Sequence, residues 1–294
     1  MMQRRSLLSG TAVAVALSLA GCTGSDDPNG TDSAAAPSGG WDPSISAPWS
    51  DSIFNSEVFA GRPIANIMMY EQIWDRLSSG SEVYDEMHSR WEDLPYLDNP
   101  EELRYDLQHH PYDMVEPVGD VGTLTVGSFD VDAFVDYYLN ERTADADVSE
   151  DTDYTIITDN TNERMVAVNS EQMIGSPFEG EYFELTQTGG ETLLETNPAY
   201  DLSLAAVPET AISVDLHWPP EDDQLISTNI SGTYVENDEP FQYTVSTFES
   251  EDDATEEALA ERFGETGTTV DELEEAGIEL EVRSRTGRIM GFQW

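Results

Sequence analysis

Few residues of this 294-residue chain have a type and spacing suited to chemistry, and the histidines are the first to consider. Of four histidines, only His109 and His110 are adjacent, and Asp113 follows them closely. Imidazole and carboxylate groups together are ligands for zinc, copper or nickel. Neighbours in a loop seldom point at one ion, and no second histidine-rich segment completes a ligand set. We therefore interpret the pair as part of an exposed loop and predict no metal or other cofactor; these three residues are the candidate ligands.

Motifs that carry catalysis are missing from the sequence. It contains no Gly-x-Ser-x-Gly, no His-Glu-x-x-His, no P-loop and no Gly-x-Gly-x-x-Gly after a predicted strand. Carboxylate pairs of the kind used in glycoside hydrolysis are uninformative, because 60 acids always place some pair at a suitable separation. We predict no catalytic residue, and a cell-surface hydrolase stays open as an alternative function.

Aromatic residues offer a second kind of site, since tyrosine and tryptophan bring a large rigid contact area with a polar tip. Trp74 and Trp91 follow a helical spacing, which predicts that they fill a core. Trp218 and the proline-rich passage from Tyr96 to Tyr112 fit a binding face as well as they fit core packing.

The first 22 residues have the order of a cleavable export signal. Arg4 and Arg5 form a positive start, residues 6–20 are uncharged and apolar or small, and Leu19-Ala20-Gly21-Cys22 ends the run. A membrane-spanning helix needs about 20 consecutive apolar residues, more than this run provides. Cys22 is the only cysteine, which excludes disulfides, cysteine-based metal sites and a cysteine nucleophile from the exported domain.

Leu19-Ala20-Gly21-Cys22 resembles the lipobox of bacterial and archaeal lipoproteins, and Arg4-Arg5-Ser6-Leu7-Leu8 resembles a twin-arginine export motif. The lipobox resemblance implies that Cys22 becomes the first residue of the mature protein and that its sulfur carries a two-chain lipid. Two buried chains, at about 0.8 kcal/mol per CH₂, anchor stably where one does not. We expect the protein at the extracellular face of the cell membrane, with the membrane as a partner through this lipid. The arginine pair also suits a general secretory signal.

The charge balance is strongly acidic. Asp and Glu number 60 against 12 basic residues, all of them arginine, and the formal net charge is −48. Such a charge destabilises a compact chain by self-repulsion. The composition resembles that of proteins from extreme halophiles. At 1 M salt the Debye length is about 3 Å, so we interpret the acids as a solvated surface rather than as a field that steers partners. Nucleic acid is excluded as a partner because binding phosphates needs a basic patch.

Composition also predicts the domain organisation. Residues 23–50 are rich in Ser, Gly, Pro and Asp and predict a disordered tether between the signal and an exported domain at 51–294. Asn29-Gly30-Thr31 and Asn229-Ile230-Ser231 are candidate glycosylation sequons.

The exported domain changes its hydrophobic period repeatedly, which predicts a mixture of strands and helices. In its first part we predict a strand at 63–70, two helices within 71–91, a loop-rich passage with four prolines, and a βαββ unit at 121–129, 131–142, 154–158 and 164–168. In its second part we predict a helix at 191–200, strands at 211–217, 225–235 and 241–248, helices at 253–263 and 270–276, and a final hairpin of 278–284 and 288–294.

The two parts resemble each other. Thr125-Val126-Gly127-Ser128-Phe129 aligns with Thr244-Val245-Ser246-Thr247-Phe248, each before an acid-led helix, and the hairpin strand 164–168 aligns with 288–292. The order predicts an α+β fold of two ferredoxin-like βαββ halves, at about 60–180 and 190–294. The sheets would be mostly antiparallel, with helices on one face. With its Gly-Ser-Phe-Asp before a helix, the layout resembles a group of uncharacterised haloarchaeal lipoproteins that brings no known activity.

These features favour a lipid-anchored surface protein of a halophile, acting as a non-enzymatic binding or envelope module. A solute-binding lipoprotein of a transporter shares the signal and the tether, but it usually alternates strands and helices in two lobes. It stays open as an alternative, together with the hydrolase.

Overall fold

The computed structural model describes residue 41 and residues 47–54, 62–112, 122–143, 145–151, 153–177, 180–217, 225–263 and 268–292. Pro37–Trp294 forms one compact unit. The predicted signal, with Arg4, Arg5 and Cys22, lies outside the described residues, as does the sequon at Asn29. None of the helices in the described part is long and apolar enough to span a bilayer.

The strands join in a single twelve-stranded sheet, and every pairing between them is antiparallel. The strands are β1 (Arg62–Met68), β2 (Tyr105–Tyr112), β3 (Gly122–Val126), β4 (Ala146–Asp151), β5 (Tyr154–Asp159), β6 (Arg164–Val168), β7 (Gln172–Pro177), β8 (Ser213–His217), β9 (Ile226–Glu236), β10 (Glu239–Phe248), β11 (Glu279–Arg283) and β12 (Thr286–Phe292). Their order across the sheet is β11-β12-β10-β9-β8-β1-β2-β3-β7-β6-β5-β4. The predicted α+β class with antiparallel pairing is therefore confirmed.

The described residues also form eight α-helices, and a π-helical turn at Tyr138–Arg142 extends the third. The helices are α1 (Tyr70–Arg76), α2 (Glu82–Glu92), α3 (Val131–Tyr137), α4 (Glu181–Thr188), α5 (Leu193–Thr196), α6 (Ala199–Ala205), α7 (Glu256–Phe263) and α8 (Val270–Glu275).

Local sequence explains where several elements begin and turn. The Asp130 carboxylate accepts a hydrogen bond from the Ala133 backbone N–H at 2.9 Å, which caps α3 at its first turn. Thr269 begins α8 with a capping box in which Glu272 reaches back to the Thr269 N–H. Asn237 and Asp238 join β9 to β10 with φ angles of 54° and 66°, the left-handed values that a two-residue hairpin turn requires.

The strand order divides the sheet into two halves, of seven strands and five, that share part of their topology. In the first, β1, β2 and β3 form a meander, α3 follows, and β7 returns to pair with β3. In the second, β8, β9 and β10 form the meander, α7 follows, and β12 returns to pair with β10. The two first strands, β1 and β8, pair at the centre, so both halves share one sheet. In both halves the third strand leads into a helix, which is the order that the predicted alignment assumes.

One part of the predicted repeat is wrong. Arg164–Val168 is β6, which pairs with β5 and β7, whereas Arg288 lies on β12 beside β10. The topological equivalent of β12 is therefore β7, one strand further along the chain than the alignment assumed. The error follows from a missed strand, because Gln172–Pro177 had no predicted element.

Helices cover both faces of the sheet, not one face as predicted. On the first face, Ile67, Leu107 and Leu124 belong to the main core with residues from α4, α5, α6 and segment 47–54. On the other face, α3 packs through Phe134 against Ile157 and Val168. We call this second surface the α3/α7 face. Leu259 of α7 lies in a third cluster with Ile289 of β12, on the same side as α3.

Two passages predicted to be unstructured are ordered. The side chains of Trp49 and Ile53 have no exposed area and belong to the main core, so the domain begins before residue 51 and the predicted end of the tether at residue 50 is too late. The proline-rich passage after α2 contains β2, which pairs with β1 and β3.

Candidate functional site

The middle of the α3/α7 face is polar. Because side chains alternate along a strand, residues in register across neighbouring strands share one face. Six strands place polar side chains at one register on this face, directly opposite one another. This polar row consists of Thr123, Gln108, Asn66, Asp215, Ser231 and Thr244. Asn66 and Gln108 are exposed and the other four are half-buried, so the row is open to solvent.

The half of the row on β8 and β9 contains a serine and a histidine in contact. The Ser231 Oγ and the His217 Nε2 lie 2.9 Å apart. Burial lowers the pKa of His217, which favours the neutral imidazole that a general base requires. Burial also raises the pKa of Asp215 to about 6.

Among the described residues, this pair lacks the third member of a hydrolase triad. Asp215 and His217 lie two residues apart on one strand, a spacing of about 6.6 Å along the chain at 3.3 Å per residue. The pKa shift of His217 has burial as its only cause, so no carboxylate in the described structure acts on this imidazole. An oriented triad needs that contact. The geometry therefore supports a structural hydrogen bond better than a nucleophile and its base.

At its other end the polar row runs into a cavity of about 780 Å³ beside α3, which we call the α3 cavity. Gln108, Thr123 and Gly175 form its floor, and residues of α3 and of the turn between β5 and β6 form its walls. The described lining residues are Tyr96, Gln108, Thr123, Phe134, Tyr137, Tyr138, Arg142, Asp159, Asn162, Arg164, Met165, Val166, Met173, Gly175 and Ser176. Its size lies within the range of about 300–1,000 Å³ that is usual for small-molecule sites.

Asp159 is the only acid among these lining residues, and both oxygens of its carboxylate accept hydrogen bonds from within the protein. Oδ1 accepts hydrogen bonds from the Thr143 hydroxyl at 3.0 Å and from the Thr161 N–H at 2.9 Å, and Oδ2 accepts one from the Asn162 amide at 2.8 Å. Its side chain is buried. Burial alone would raise the pKa of Asp159, but these hydrogen bonds outweigh burial and lower it. Asp159 therefore fixes the β5–β6 turn as a buried anion.

Two arginines line the same cavity. Arg142 ends the π-helical turn after α3, and its guanidinium lies 6.0 Å from the centre of the Tyr137 ring. Arg164 begins β6. Burial raises the pKa of the Tyr138 hydroxyl, the charge of Asp159 adds to the rise, and the charges of Arg164 and Arg142 oppose it. Both guanidinium groups are therefore close enough to act on one hydroxyl in the wall of the cavity.

The histidines singled out in the sequence do not form a metal site in the described structure. His109 lies in β2, not in an exposed loop, and its buried ring has Nε2 at 3.2 Å from the Phe54 carbonyl oxygen. His110 lies in the same strand, and Asp113 lies outside the described residues. Within the described ranges, no three His, Asp or Glu side chains are grouped as metal ligands would be.

The second sequon is badly placed for glycosylation. Asn229 lies inside β9, half-buried, and its Oδ1 accepts a hydrogen bond from the Ser246 hydroxyl at 3.3 Å. A glycan joined to the Asn229 Nδ2 would have to fit inside the sheet beside this contact. Trp218 lies outside the described residues, and Tyr96 is buried with its side chain in the wall of the α3 cavity.

The sequence analysis missed the residues that define the α3 cavity. Gln108, Arg142 and Arg164 come from three separate parts of the chain, and no local motif marks them. The signal that the sequence did offer was the small number of positive charges. The chain has 12 arginines and no lysine, so each arginine in the domain was a candidate.

No family model matches the chain, and no curated protein matches it. Among solved structures, it is similar to crystal form III of TP0453, with 6% identity and a TM-score of 0.44 over 82% of this chain and 91% of that one. Crystal form IV gives a TM-score of 0.40 over 83% and 93% of the two chains, and form I gives 0.42 over 85% and 91%, both at 6% identity.

Proposed function

We propose that this protein is a lipid-anchored module of the extracellular face of a halophile's membrane, and that its domain binds a small polar ligand in the α3 cavity without catalysis. The anchor rests on Cys22 at the end of the lipobox-like run. The binding function rests on one observation: the polar row, open to solvent, leads into a cavity of about 780 Å³ whose walls carry tyrosines and arginines.

The cavity has the composition expected of a binding site. Ligand sites combine apolar and aromatic walls with a few polar groups that fix the ligand's orientation. Here Phe134, Val166 and Met173 supply apolar surface, while Gln108 and Thr123 supply an amide and a hydroxyl on the floor. The floor belongs to the sheet, and rigid elements hold a site more accurately than loops do.

The two alternative functions have less support. A hydrolase would need an oriented base, and the contact between His217 and Ser231 has no carboxylate acting on it in the described structure. A transporter's solute-binding protein usually holds its ligand between two lobes, whereas Pro37–Trp294 is one compact unit whose two halves share a sheet.

The anchor is tested with Cys22→Ser. If lipid on Cys22 holds the protein, the variant should leave the membrane fraction or remain unprocessed in a halophilic host. A variant that is processed normally and stays in the membrane fraction would contradict the anchor.

Binding is tested by recording the melting temperature of the full chain in about 2 M KCl with sugars, sugar acids, amino acids and short peptides. A ligand at 100 times its Kd adds about 2.7 kcal/mol of stability. Gln108→Phe places a ring on the floor of the cavity and should abolish the shift that any ligand causes. Asn66→Phe places the same ring on the next strand of the polar row, outside the lining, and should preserve it. A panel with no active compound, or a shift that survives Gln108→Phe, would refute the proposed site.

A further inference from the structure

The polar row belongs to a stretch of the α3/α7 face that carries little charge. Asp215 is the one acid among the six residues of the row. On β9 the half-buried side chains of this face are Ser227, Asn229, Ser231 and Thr233, all uncharged. The exposed outer strand β4, by contrast, carries three acids among its six residues. Solvation in salt, which β4 illustrates, therefore does not account for the short amide and hydroxyl side chains of this face.

Asp215 is the charged group of the row, and its carboxylate has no donor in the described structure. Burial is the only cause of its raised pKa, so no described residue hydrogen-bonds this carboxylate or pairs with its charge. An ionised carboxylate only accepts hydrogen bonds, whereas the neighbouring Asn66 amide and Ser231 hydroxyl both donate and accept. Leaving a half-buried acceptor unsatisfied costs free energy, which a ligand that brings a donor recovers. The row therefore favours a ligand that is rich in hydroxyl groups and free of acids.

The spacing of the row indicates the shape of that ligand. Gln108, Asn66, Asp215 and Ser231 lie in direct register on the neighbouring strands β2, β1, β8 and β9. Neighbouring strands lie about 4.8 Å apart, a distance close to the length that one pyranose unit adds to an extended glycan. An extended peptide advances by about 3.3 Å per residue and falls out of step with these strands. Sheet twist of about 20–25° per strand turns the row gradually, and the rotatable linkages of a glycan can follow it.

At one end the row enters the α3 cavity, which supplies contacts for a sugar ring beyond hydrogen bonds. Tyr137 and Tyr138 are half-buried in its wall, each with an apolar ring face and a polar hydroxyl. Gln108 and Thr123 belong both to the row and to the lining of the cavity. A chain whose terminal ring occupies the cavity therefore continues along the row towards Asn66.

We infer that the ligand is a neutral, linear oligosaccharide that lies across the strands, with its terminal ring in the α3 cavity and its following units along Asn66, Asp215 and Ser231. Hydroxyl groups of the unit over β8 donate to the Asp215 carboxylate, and the adjacent amide and hydroxyl side chains bond to the neighbouring units. This inference rests on the proposed binding function and names the class of ligand for that site. A polycation fits less well, because the row offers its regularly spaced charges a single carboxylate.

The experiment compares single sugars with their linear tetramers, using the full chain in about 2 M KCl at about pH 8, where Asp215 is ionised. Glucose and mannose are titrated beside cellotetraose, maltotetraose and mannotetraose, and calorimetry gives the affinities. Tetraglycine and spermine represent a peptide and a polycation. We expect at least one neutral tetramer to bind about tenfold or more tightly than its single sugar, and more tightly than tetraglycine or spermine.

Two substitutions in the row assign the contact. Asp215→Asn should weaken tetramer binding about tenfold. At this pH the same substitution should raise the melting temperature, because it removes a charge that burial disfavours, so a loss of affinity cannot come from unfolding. Asn66→Phe should remove the tetramer's gain over the single sugar while the single sugar still binds, because Asn66 lies outside the lining of the cavity. Gln187→Phe is the matched control: it places the same ring at an exposed position of α4, on the opposite face of the sheet, and should change neither affinity.

The outcomes separate the inference from the proposed function. Tetramers that bind no more tightly than their single sugars, or a gain that survives both Asp215→Asn and Asn66→Phe, overturn the inference. Tetraglycine or spermine overturns it if its affinity exceeds that of every neutral tetramer and falls in Asp215→Asn. If a single sugar or another compound of the panel binds and Gln108→Phe abolishes that binding, the binding module stands even where the oligosaccharide fails. If no compound binds, both fail.

Discussion

Phe129 and Phe248 give the sharpest test of the two equivalent halves. Each lies at the junction between the third strand of its half and the following helix, and their side chains are 5% and 0% exposed. Phe129 shares a cluster with Phe134 of α3, and Phe248 shares one with Leu259 of α7. Replacing either residue with alanine removes a buried ring and leaves a cavity, at a cost of about 3–5 kcal/mol. This is a large part of a total stability of about 5–15 kcal/mol.

Urea unfolding in about 2 M KCl measures both losses without changing the ionic strength. We expect Phe129→Ala and Phe248→Ala to lower the free energy of unfolding by similar amounts with an unchanged m-value. The two rings belong to different clusters, so their losses should add within about 0.5 kcal/mol. Val148→Ala on the edge strand β4 is the control; its side chain is 45% exposed and its loss should stay below about 0.5 kcal/mol. A loss below about 1 kcal/mol for one phenylalanine and above 3 for the other would refute the equivalence of the two junctions.

Three further measurements test the energetics. The domain should lose its far-ultraviolet circular dichroism between molar and about 10 mM salt, because a chain with a formal net charge of −48 repels itself without screening; an unchanged spectrum would contradict this. Burial raises the folded-state pKa of Asp215 from 3.8 to about 6, so its contribution to stability falls as pH rises through this window. Asp215→Asn should therefore raise the melting temperature at about pH 8 and not at about pH 4. A difference in melting temperature between variant and wild type that does not change with pH would contradict burial as the cause. Ser203→Ala should cost about 1–3 kcal/mol in urea unfolding, because the Ser203 hydroxyl contacts the buried hydroxyls of Thr228 and Thr247 at 2.5 and 2.6 Å; a loss below about 0.5 kcal/mol would show that they find other partners.

The elements predicted correctly are those whose pattern is local. β9 alternates buried and half-buried residues along most of its length, and Asn237 and Asp238 mark its turn into β10, so period and turn chemistry agree. β4 carries no such pattern. Ala146–Asp151 contains three acids and forms the outer strand of the sheet through its pairing with β5. Its acids protect an exposed edge against further pairing, which makes a real strand look like a loop.

The candidate site could not be predicted for a related reason. Gln108 reaches the cavity floor because β2 pairs with β3 in a register that places it opposite Thr123. β2 itself contains Pro111 and two histidines, a composition that predicts a loop, and its position between β1 and β3 comes from tertiary pairing. When strand register brings the residues of a site together, as it does for Gln108 and Thr123, their separation along the chain follows no recognisable motif.

Two other arginines, Arg283 and Arg288, contact Trp41 at the start of the domain. The guanidinium groups of Arg283 and Arg288 lie over its half-buried ring, at 4.3 and 4.2 Å from the ring centre. Arg288 also donates to the Ala206 carbonyl oxygen at 3.2 Å and contacts Glu281, so its position is fixed by the fold. Cation–π contacts of this kind are worth about 0.5–2 kcal/mol each. The tether predicted from composition therefore ends before Trp41 rather than at residue 50. At about 5–6 Å times the square root of its length, its expected reach falls from about 30 Å to about 23 Å.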